Sequence, residues 1–547
     1  MLKLKFLSFA GIILLFISSV EALPQTDSGK LSSKDSARST INADSLLNAA
    51  RQKNEKEFTV PSYTLLRRAI REAENDKGTA GKLMETLKSL KPAGTPYNIT
   101  ININGDPSTQ MAFNWFTNAG ITGGKVQIVE GIVNDEKKFS KPLITVEAEC
   151  FPVNEINYCI RGNNLDKLAG IPDNTKKSYT AHKAAAGNLK PGTAYSYRIG
   201  NGTEWSSTGT FRTAGRNDKE FSFIYTTDPQ ATTDADFHIS CITTSTAFSM
   251  YPDVNFWLCC GDHVNASGAN NSEWEWEQFF ETQQNILMNK PFAPVLGNHD
   301  KSPNRNFTYH FNTAAADFDR RLSTTPGSVY SFVYGNALFL ALSFEDYSNN
   351  EFIEAQAKWM RSEVEKHPEV KWRIAFYHKN IYTGSVSHQD DSDGITVRNR
   401  MAPLFDSLKI DIALQGHDHI YEVIGPVKNK KPVPNSITAR QTVPPDKREN
   451  VTGFLHGIFN VSEGTLYFLN NSAGKKKYEP RAREDMEKDE ERLGVPGYFS
   501  LFTGRFGQTG RPTFSHINVT DSKITITTYE VYDNGTASLF DRFDVVK

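Results

Sequence analysis

Val254-Asn255-Phe256-Trp257-Leu258-Cys259-Cys260-Gly261-Asp262 is the stretch that decides the fold of this chain. A mostly apolar run without alternation ends abruptly in Gly-Asp. Such a run fits a strand buried on both faces, as in a parallel sheet covered by helices. A carboxylate just past its end stands where α/β sheets place their sites. Four further segments repeat the device: Phe221 to Tyr225 leads to Asp228, and Phe292 to Leu296 leads to Gly297-Asn298-His299-Asp300. Trp372 to Tyr377 leads to His378, and Ile410 to Leu414 leads to Gly416-His417-Asp418-His419. Helical patterns at 272–289 and 351–367 lie between some of them. Singly each ending is weak, since Gly-Asp is an ordinary turn and Asn-His-Asp caps helices. Five in series, each after a buried strand, are not independent accidents, and carboxylate, amide and imidazole are metal-ligand types.

The set Asp228, Gly261-Asp262, Gly297-Asn298-His299-Asp300, His378 and Gly416-His417-Asp418-His419 resembles the calcineurin-like metallophosphoesterases. The sequences around His378 and His419-Ile420-Tyr421, and the tail Gly464-Thr465-Leu466-Tyr467 with Ser472-Ala473-Gly474, resemble the purple acid phosphatase branch. The resemblance covers about Pro96 to Lys547. It implies a four-layer α/β domain of two packed β-sheets flanked by helices over 216–547.

It also implies two metal ions bridged by Asp262. One ion takes Asp228 and His419, and the other takes Asn298, His378 and His417. The expected reaction is phosphomonoester hydrolysis, in which a hydroxide generated by the ions attacks phosphorus in line. A phosphodiesterase or nucleotidase on the same site, or a surface binding protein with a vestigial site, are the alternatives. His299 is expected to protonate the leaving group or bind the phosphoryl oxygen, with Asp300 holding its ring. Asn298 and His299 are the expected substrate contacts, and His263 and His310 are weaker candidates for the pocket lining. Two departures from the branch stand out. Asn265 occupies the position of the tyrosine that colours the purple enzymes, so no tyrosinate-to-iron band is expected. Gln230 stands two residues after the first Asp, where related phosphoesterases carry His, and is a tentative extra ligand. Iron, zinc and manganese all suit His, Asn and Asp ligands.

Outward from the catalytic pattern, strict alternation at Asn98 to Ile103 and Met111 to Trp115 begins a run of short strands through Thr213. Leu189-Lys190-Pro191-Gly192 feeds a strand with Tyr195 and Tyr197 on one face and resembles the end of a fibronectin type III domain. The expectation is a β-sandwich over 93–215 with Trp115 in its core. Residues 42–92 carry three short amphipathic stripes, with Pro61 opening the second, and resemble FIVAR-type surface modules. Such a module would suit contact with a cell surface. Residues 23–41 read as a flexible linker, and Met1 to Ala22 as a cleaved secretory signal with Lys3 and Lys5 ahead of an apolar stretch. The expected location is therefore secreted, periplasmic or cell-surface.

The balance of 61 Lys+Arg against 63 Asp+Glu in 547 residues gives no bulk charge for nucleic acid or an anionic membrane. The expected partner is a phosphorylated small molecule, with nucleic acid excluded beyond a nucleotide substrate. No later segment reads as a membrane span. Five Cys exclude a disulfide scaffold, and only Cys150 and Cys159 flank a plausible hairpin for pairing. The runs Lys428 to Lys431 and Lys475-Lys476-Lys477 read as solvated loops.

Overall fold

The structure is a computed structural model that describes residues 43–133, 135–216, 218–265, 272–441, 451–452, 455–488 and 490–547. The leader and linker expected at 1–41 lie outside the described residues. Residues 43–547 form one compact unit.

The apolar runs become the parallel strands of two sheets packed face to face. Glu220–Thr226, Phe256–Cys259 and Phe292–Pro294 run parallel in the first. Ala337–Ala341, Trp372–Phe376, Ile412–Gln415 and Thr465–Leu469 run parallel in the second. Phe223, Phe256, Leu258, Val295, Phe339, Phe376, Leu414 and Phe468 fill the space between the sheets. The outer faces are covered by helices. Asp234–Met250 and Glu273–Leu287 lie on the first sheet, and Asn350–Lys366 and Ser392–Leu408 on the second. Both faces of these strands are therefore dry, which is why the runs show no alternation. The expected four layers are present.

The amino-terminal strands form a sandwich. Tyr97–Asn102, Met111–Asn118, Lys176–Ala186 and Glu149–Asn157 make one sheet, and Ile144–Glu147, Lys125–Glu130, Ala194–Gly200 and Gly209–Arg212 the other. Trp115 is buried and stacks on His182, with ring centroids 5.1 Å apart. The Tyr195 hydroxyl accepts from the Lys190 backbone N–H at 2.8 Å, and so pins the Pro191-Gly192 turn to its strand.

Alternation alone did not reveal how this sandwich joins the rest. Its strand Tyr97–Asn102 pairs in parallel with Phe292–Pro294, so the sandwich sheet and the first catalytic sheet are one 12-stranded sheet. The Asn102 side chain donates to the Phe292 carbonyl at 3.1 Å, and the Ile103 N–H donates to the same oxygen. The two edges that would otherwise expose unpaired backbone groups thereby satisfy one another.

The helices Ala43–Arg51, Val60–Asn75 and Ala80–Lys88 follow the amphipathic stripes and bury Leu47, Ala50, Leu66, Ala69, Ala73 and Leu83 among themselves. Outside the bundle, Val60 packs into an apolar cluster with Phe116, Tyr158 and Leu165, and polar contacts accompany it. Arg67 donates to the Ala169 and Gly170 carbonyls, and Arg68 pairs with Asp234 at 2.9 Å.

All five cysteines are free thiols. Cys150 and Cys159 do not pair, because the strand Glu149–Asn157 runs between them. At about 3.3 Å per residue their separation is roughly 25 Å, against the 7 Å limit for a disulfide.

The Tyr197 hydroxyl is buried and donates to the Met288 carbonyl at 2.8 Å, tying the sandwich to the end of the helix Glu273–Leu287. Tyr197→Phe leaves that carbonyl without this donor. It is expected to lower stability by about 1–3 kcal/mol, read as a lower urea midpoint at unchanged slope. An unchanged midpoint would show that the tie contributes nothing.

Candidate metal centre

Each predicted ligand sits two to four residues beyond the end of a parallel strand, and the strand ends of both sheets converge. Asp228, Asp262 and His417 have φ of 53°, 53° and 75°. Left-handed backbone is uncommon for such residues and costs about 1–3 kcal/mol each. The surroundings hold it in place. The Asp228 N–H donates to the Gly261 carbonyl at 3.1 Å, the His417 N–H to Asp228 Oδ2 at 3.1 Å, and the Gly416 N–H to the His378 carbonyl at 2.9 Å. Two glycines are obligatory by space. A Cβ on Gly297 would lie 2.1 Å from Asp262 Oδ1, and one on Gly416 would lie 2.3 Å from the Cys260 carbonyl oxygen.

These loops bring Asp228, Asp262, Asn298, His378, His417 and His419 together. His378 Nδ1 lies 2.7 Å from the Cys260 carbonyl, which assigns its proton to that nitrogen. Nε2 is thereby directed inward, 2.9 Å from Asn298 Oδ1 and 3.2 Å from Asp262 Oδ1. One ligand atom each from Asp262, His378 and His417 lies within 4.8 Å of the others. His419 Nε2 is 3.5 Å from Asp228 Oδ1. Asp228 Oδ1 and both amide atoms of Gln230 are buried without a hydrogen-bond partner. Buried acceptors are ordinarily satisfied, so a cation at Asp228 Oδ1 fits the donor set, and of the Gln230 amide only the oxygen can ligate one.

Electrostatics point the same way. Burial raises the Asp228 carboxyl to about 8. Burial also pushes Asp262 upward, but the neighbouring His378 and His299 outweigh it and hold Asp262 well below the usual range. Burial lowers His378, yet Asp262 beside it lifts it to about 10. Burial keeps His417 far below its ordinary value, and burial with Lys476 nearby takes His419 to about 3. Two imidazoles are thus neutral and ready to ligate.

His299 lies at the mouth, 21 % exposed, with Nε2 4.0 Å from Asp262 Oδ2. Its N–H donates to Asp262 Oδ1 at 2.9 Å, and its Nδ1 lies 2.7 Å from the Asn265 carbonyl. This corrects the role expected for Asp300. The Asp300 carboxylate does not hold the His299 ring, because it accepts from His263 N–H at 2.8 Å, His263 Nδ1 at 2.8 Å and Gly297 N–H at 3.0 Å. It ties two ligand loops together instead. The His299 ring is set by Asn265, whose own N–H donates to Glu275 Oε2 at 2.9 Å.

His263 and His310 do not line a substrate pocket. Both are fully buried in an aromatic cluster with Trp276, Phe280, Phe307 and Phe311. His310 is held by Glu273 at 2.8 Å. A residue the linear pattern missed is His388, whose ring stacks on His417 at 4.0 Å and whose Nδ1 lies 2.8 Å from Asp391 Oδ2. It follows His378 by ten positions in an irregular segment with no strand ahead of it, so no periodicity marked it.

The protons held on Asp228 and His378 must leave when metal binds. Metal affinity is therefore expected to rise with pH through neutrality and to fall below about pH 8. Calorimetry in buffers of different ionisation enthalpy should show net proton release. Proton-neutral binding at pH 7 would contradict this reading of the cluster.

Known proteins carry the same two units. Residues 96–213 match the purple acid phosphatase N-terminal domain, and residues 235–421 match the calcineurin-like phosphoesterase domain. An uncharacterized protein of Mycobacterium tuberculosis is 24 % identical over 240 residues, covering 41 % of this chain and 42 % of its own. Acid phosphatase type 7 of Mus musculus is 23 % identical over 289 residues, covering 50 % of this chain and 63 % of its own. Purple acid phosphatase 21 of Arabidopsis thaliana is 23 % identical over 265 residues, covering 46 % of this chain and 55 % of its own. The chain thus spans about half the length of these relatives. In fold it is similar to a purple acid phosphatase from yellow lupin seeds, with a TM-score of 0.59 at 16 % identity over 83 % of this chain and 74 % of that one. Two matched domains in this order make the chain a calcineurin-like metallophosphoesterase of the purple acid phosphatase-like branch.

Proposed function

We propose that this chain is an exported phosphatase that hydrolyses phosphomonoesters at a two-metal centre. The observation that carries the reading is the convergence of six ligand side chains around buried, unpartnered acceptor atoms, with His299 Nε2 at the opening. Asp262, with one oxygen 3.2 Å from His378 Nε2, would contribute to holding both ions. Asp228, His419 and Gln230 would hold one ion, and Asn298, His378 and His417 the other, with iron, zinc or manganese all suited. When bound, the two cations neutralise phosphoryl charge and lower the pKa of a water.

The chain's own residues do the rest. The Asn265 carbonyl accepts a hydrogen bond from His299 Nδ1–H, which fixes the ring with Nε2 toward Asp262 at the opening. His299 then delivers a proton to the departing oxygen or binds the phosphoryl group. Asp300 keeps the Gly297-Asn298-His299 turn in register with the Asp262 loop through its bonds to Gly297 and His263. Asn265, in place of a tyrosine, supplies no phenolate.

Export rests on the leader-like Met1 to Ala22, and amino-terminal sequencing of the mature protein should begin at Leu23. The helices of 43–88 suit a further contact at a cell surface.

The purified protein, loaded with manganese, zinc or iron, is expected to release 4-nitrophenol from its monophosphate and to lose that activity with a chelator. Asp262→Asn should lower turnover at least 100-fold with loss of bound metal, exceeding the 10–100-fold effects of residues behind the ligands. His299→Ala should cost about 10²–10⁴-fold while metal content is retained. Turnover of neither a monoester nor a diester with any of the three metals would sink the enzyme reading. An unchanged rate and pH profile in His299→Ala would remove its proton-transfer role. The iron-loaded protein is expected to lack an intense visible charge-transfer band, and such a band would show that another residue supplies a phenolate.

A further inference from the structure

The segment from Ser472 to Tyr478 is drawn along the ligand cluster by its two ends. At the first end the Ser472 hydroxyl donates to the Asp228 carbonyl at 2.7 Å, and the Ala473 N–H donates to the Thr227 carbonyl at 2.9 Å. At the second end the Tyr478 N–H donates to the His419 carbonyl at 3.2 Å, and the two rings lie 4.4 Å apart. The Gln508 amide clamps the His419 and Tyr478 carbonyls at 2.7 and 2.6 Å. Both anchors are metal-ligand positions or their immediate neighbours, so the residues between them stay beside the site.

Those residues are three lysines with three different environments. Lys475 turns outward and pairs with Asp236 at 3.0 Å, and Lys477 donates to the Gly510 carbonyl. Lys476 is half-buried and forms no ion pair among the described residues. The charges that act on its ammonium are the carboxylates of Asp262, Asp228 and Glu275. Asp262 and Asp228 are the two carboxylate ligands, and Glu275 stands behind the loop that sets His299. The anchors at Asp228 and His419 therefore keep Lys476 beside the cluster, within electrostatic reach of its carboxylates. With Asp228 and Asp262 committed to cations, Glu275 and an anionic ligand are the complements left for this ammonium.

We propose that Lys476 is the cation that binds the second negative charge of a phosphomonoester, and so selects dianionic monoesters over monoanionic diesters. This rests on the phosphatase reading above. A monoester with its second pKa near 6 carries about −1.5 to −2 at pH 7, and a diester carries one charge. A lysine ammonium is a compact point charge with three donors, so it rewards the additional charge without demanding a planar, two-pronged partner. The backbone anchors at Asp228 and His419 set its place, which a free surface lysine lacks.

The test uses the full metal-loaded chain as wild type, Lys476→Met, Lys476→Arg and Lys475→Met. Inorganic phosphate binding is measured by calorimetry, metal content by elemental mass spectrometry, and kcat and KM with 4-nitrophenyl phosphate and bis(4-nitrophenyl) phosphate. Lys476→Met is expected to weaken phosphate binding about tenfold or more, as the loss of a charge-assisted contact. It should lower kcat/KM for the monoester about tenfold more than for the diester, at wild-type metal content. Lys476→Arg should recover most of the phosphate affinity, and Lys475→Met should match wild type. Unchanged phosphate affinity in Lys476→Met, equal losses on both esters, or loss of bound metal would each overturn the proposal. Should wild type turn over neither ester, the phosphate titration alone decides whether Lys476 binds phosphate, so the two failures stay distinct.

Discussion

Two carboxylates, Asp228 and Asp262, are held out of water beside one another, and the rest of the architecture answers that constraint. Burying like charges together is unfavourable unless an opposite charge joins them. Here the compensating groups are imidazoles on loops from a second sheet and, in the proposed holoprotein, two cations. Bringing those loops within ligand distance requires two sheets to end at one place and three ligand residues to accept left-handed backbone. That strain persists because the backbone hydrogen bonds and the close approach of Gly297 and Gly416 leave no alternative path.

A second layer of buried acids carries this order outward. The helix Glu273–Leu287 alternates Glu273-Trp274-Glu275-Trp276-Glu277, and all three carboxylates are buried with partners. Glu273 accepts from Asn306 at 2.6 Å and pairs with His310, while Glu277 accepts from Tyr158 at 2.9 Å. Glu275 accepts from Asn163 at 2.8 Å with one oxygen and from the Asn265 N–H with the other. A residue of the amino-terminal unit thus touches the carboxylate that holds the loop orienting His299. The sandwich takes part in the catalytic framework, through this contact as well as through the shared sheet.

The aromatic cluster around His263 shows how a polar group becomes structural. Asp300 satisfies the ring nitrogen and the backbone N–H of His263, and the surrounding rings exclude water. Motif adjacency alone suggested a substrate contact, yet His263 serves to fix the loop that follows Asp262.

The sequence by itself determined the buried strands and the polar residues that end them, because unalternating apolar runs and their polar endings are local signals. It also determined the helices of 43–88 and the position of Trp115, through periodicities of 3.6 and 2. Only the tertiary structure decided what each polar residue near the motifs does. Asp300 turning to His263, Asn265 orienting His299 and His388 stacking on His417 depend on loops from different strands meeting in space. The same holds for Lys476. Its neighbours at 475 and 477 have the same side chain, and only the anchoring of the segment at Asp228 and His419 decides which of the three comes within reach of the ligand carboxylates. Spacing along a chain records which residues end a strand; it does not record which loops the packing of two sheets brings within 3 Å of each other.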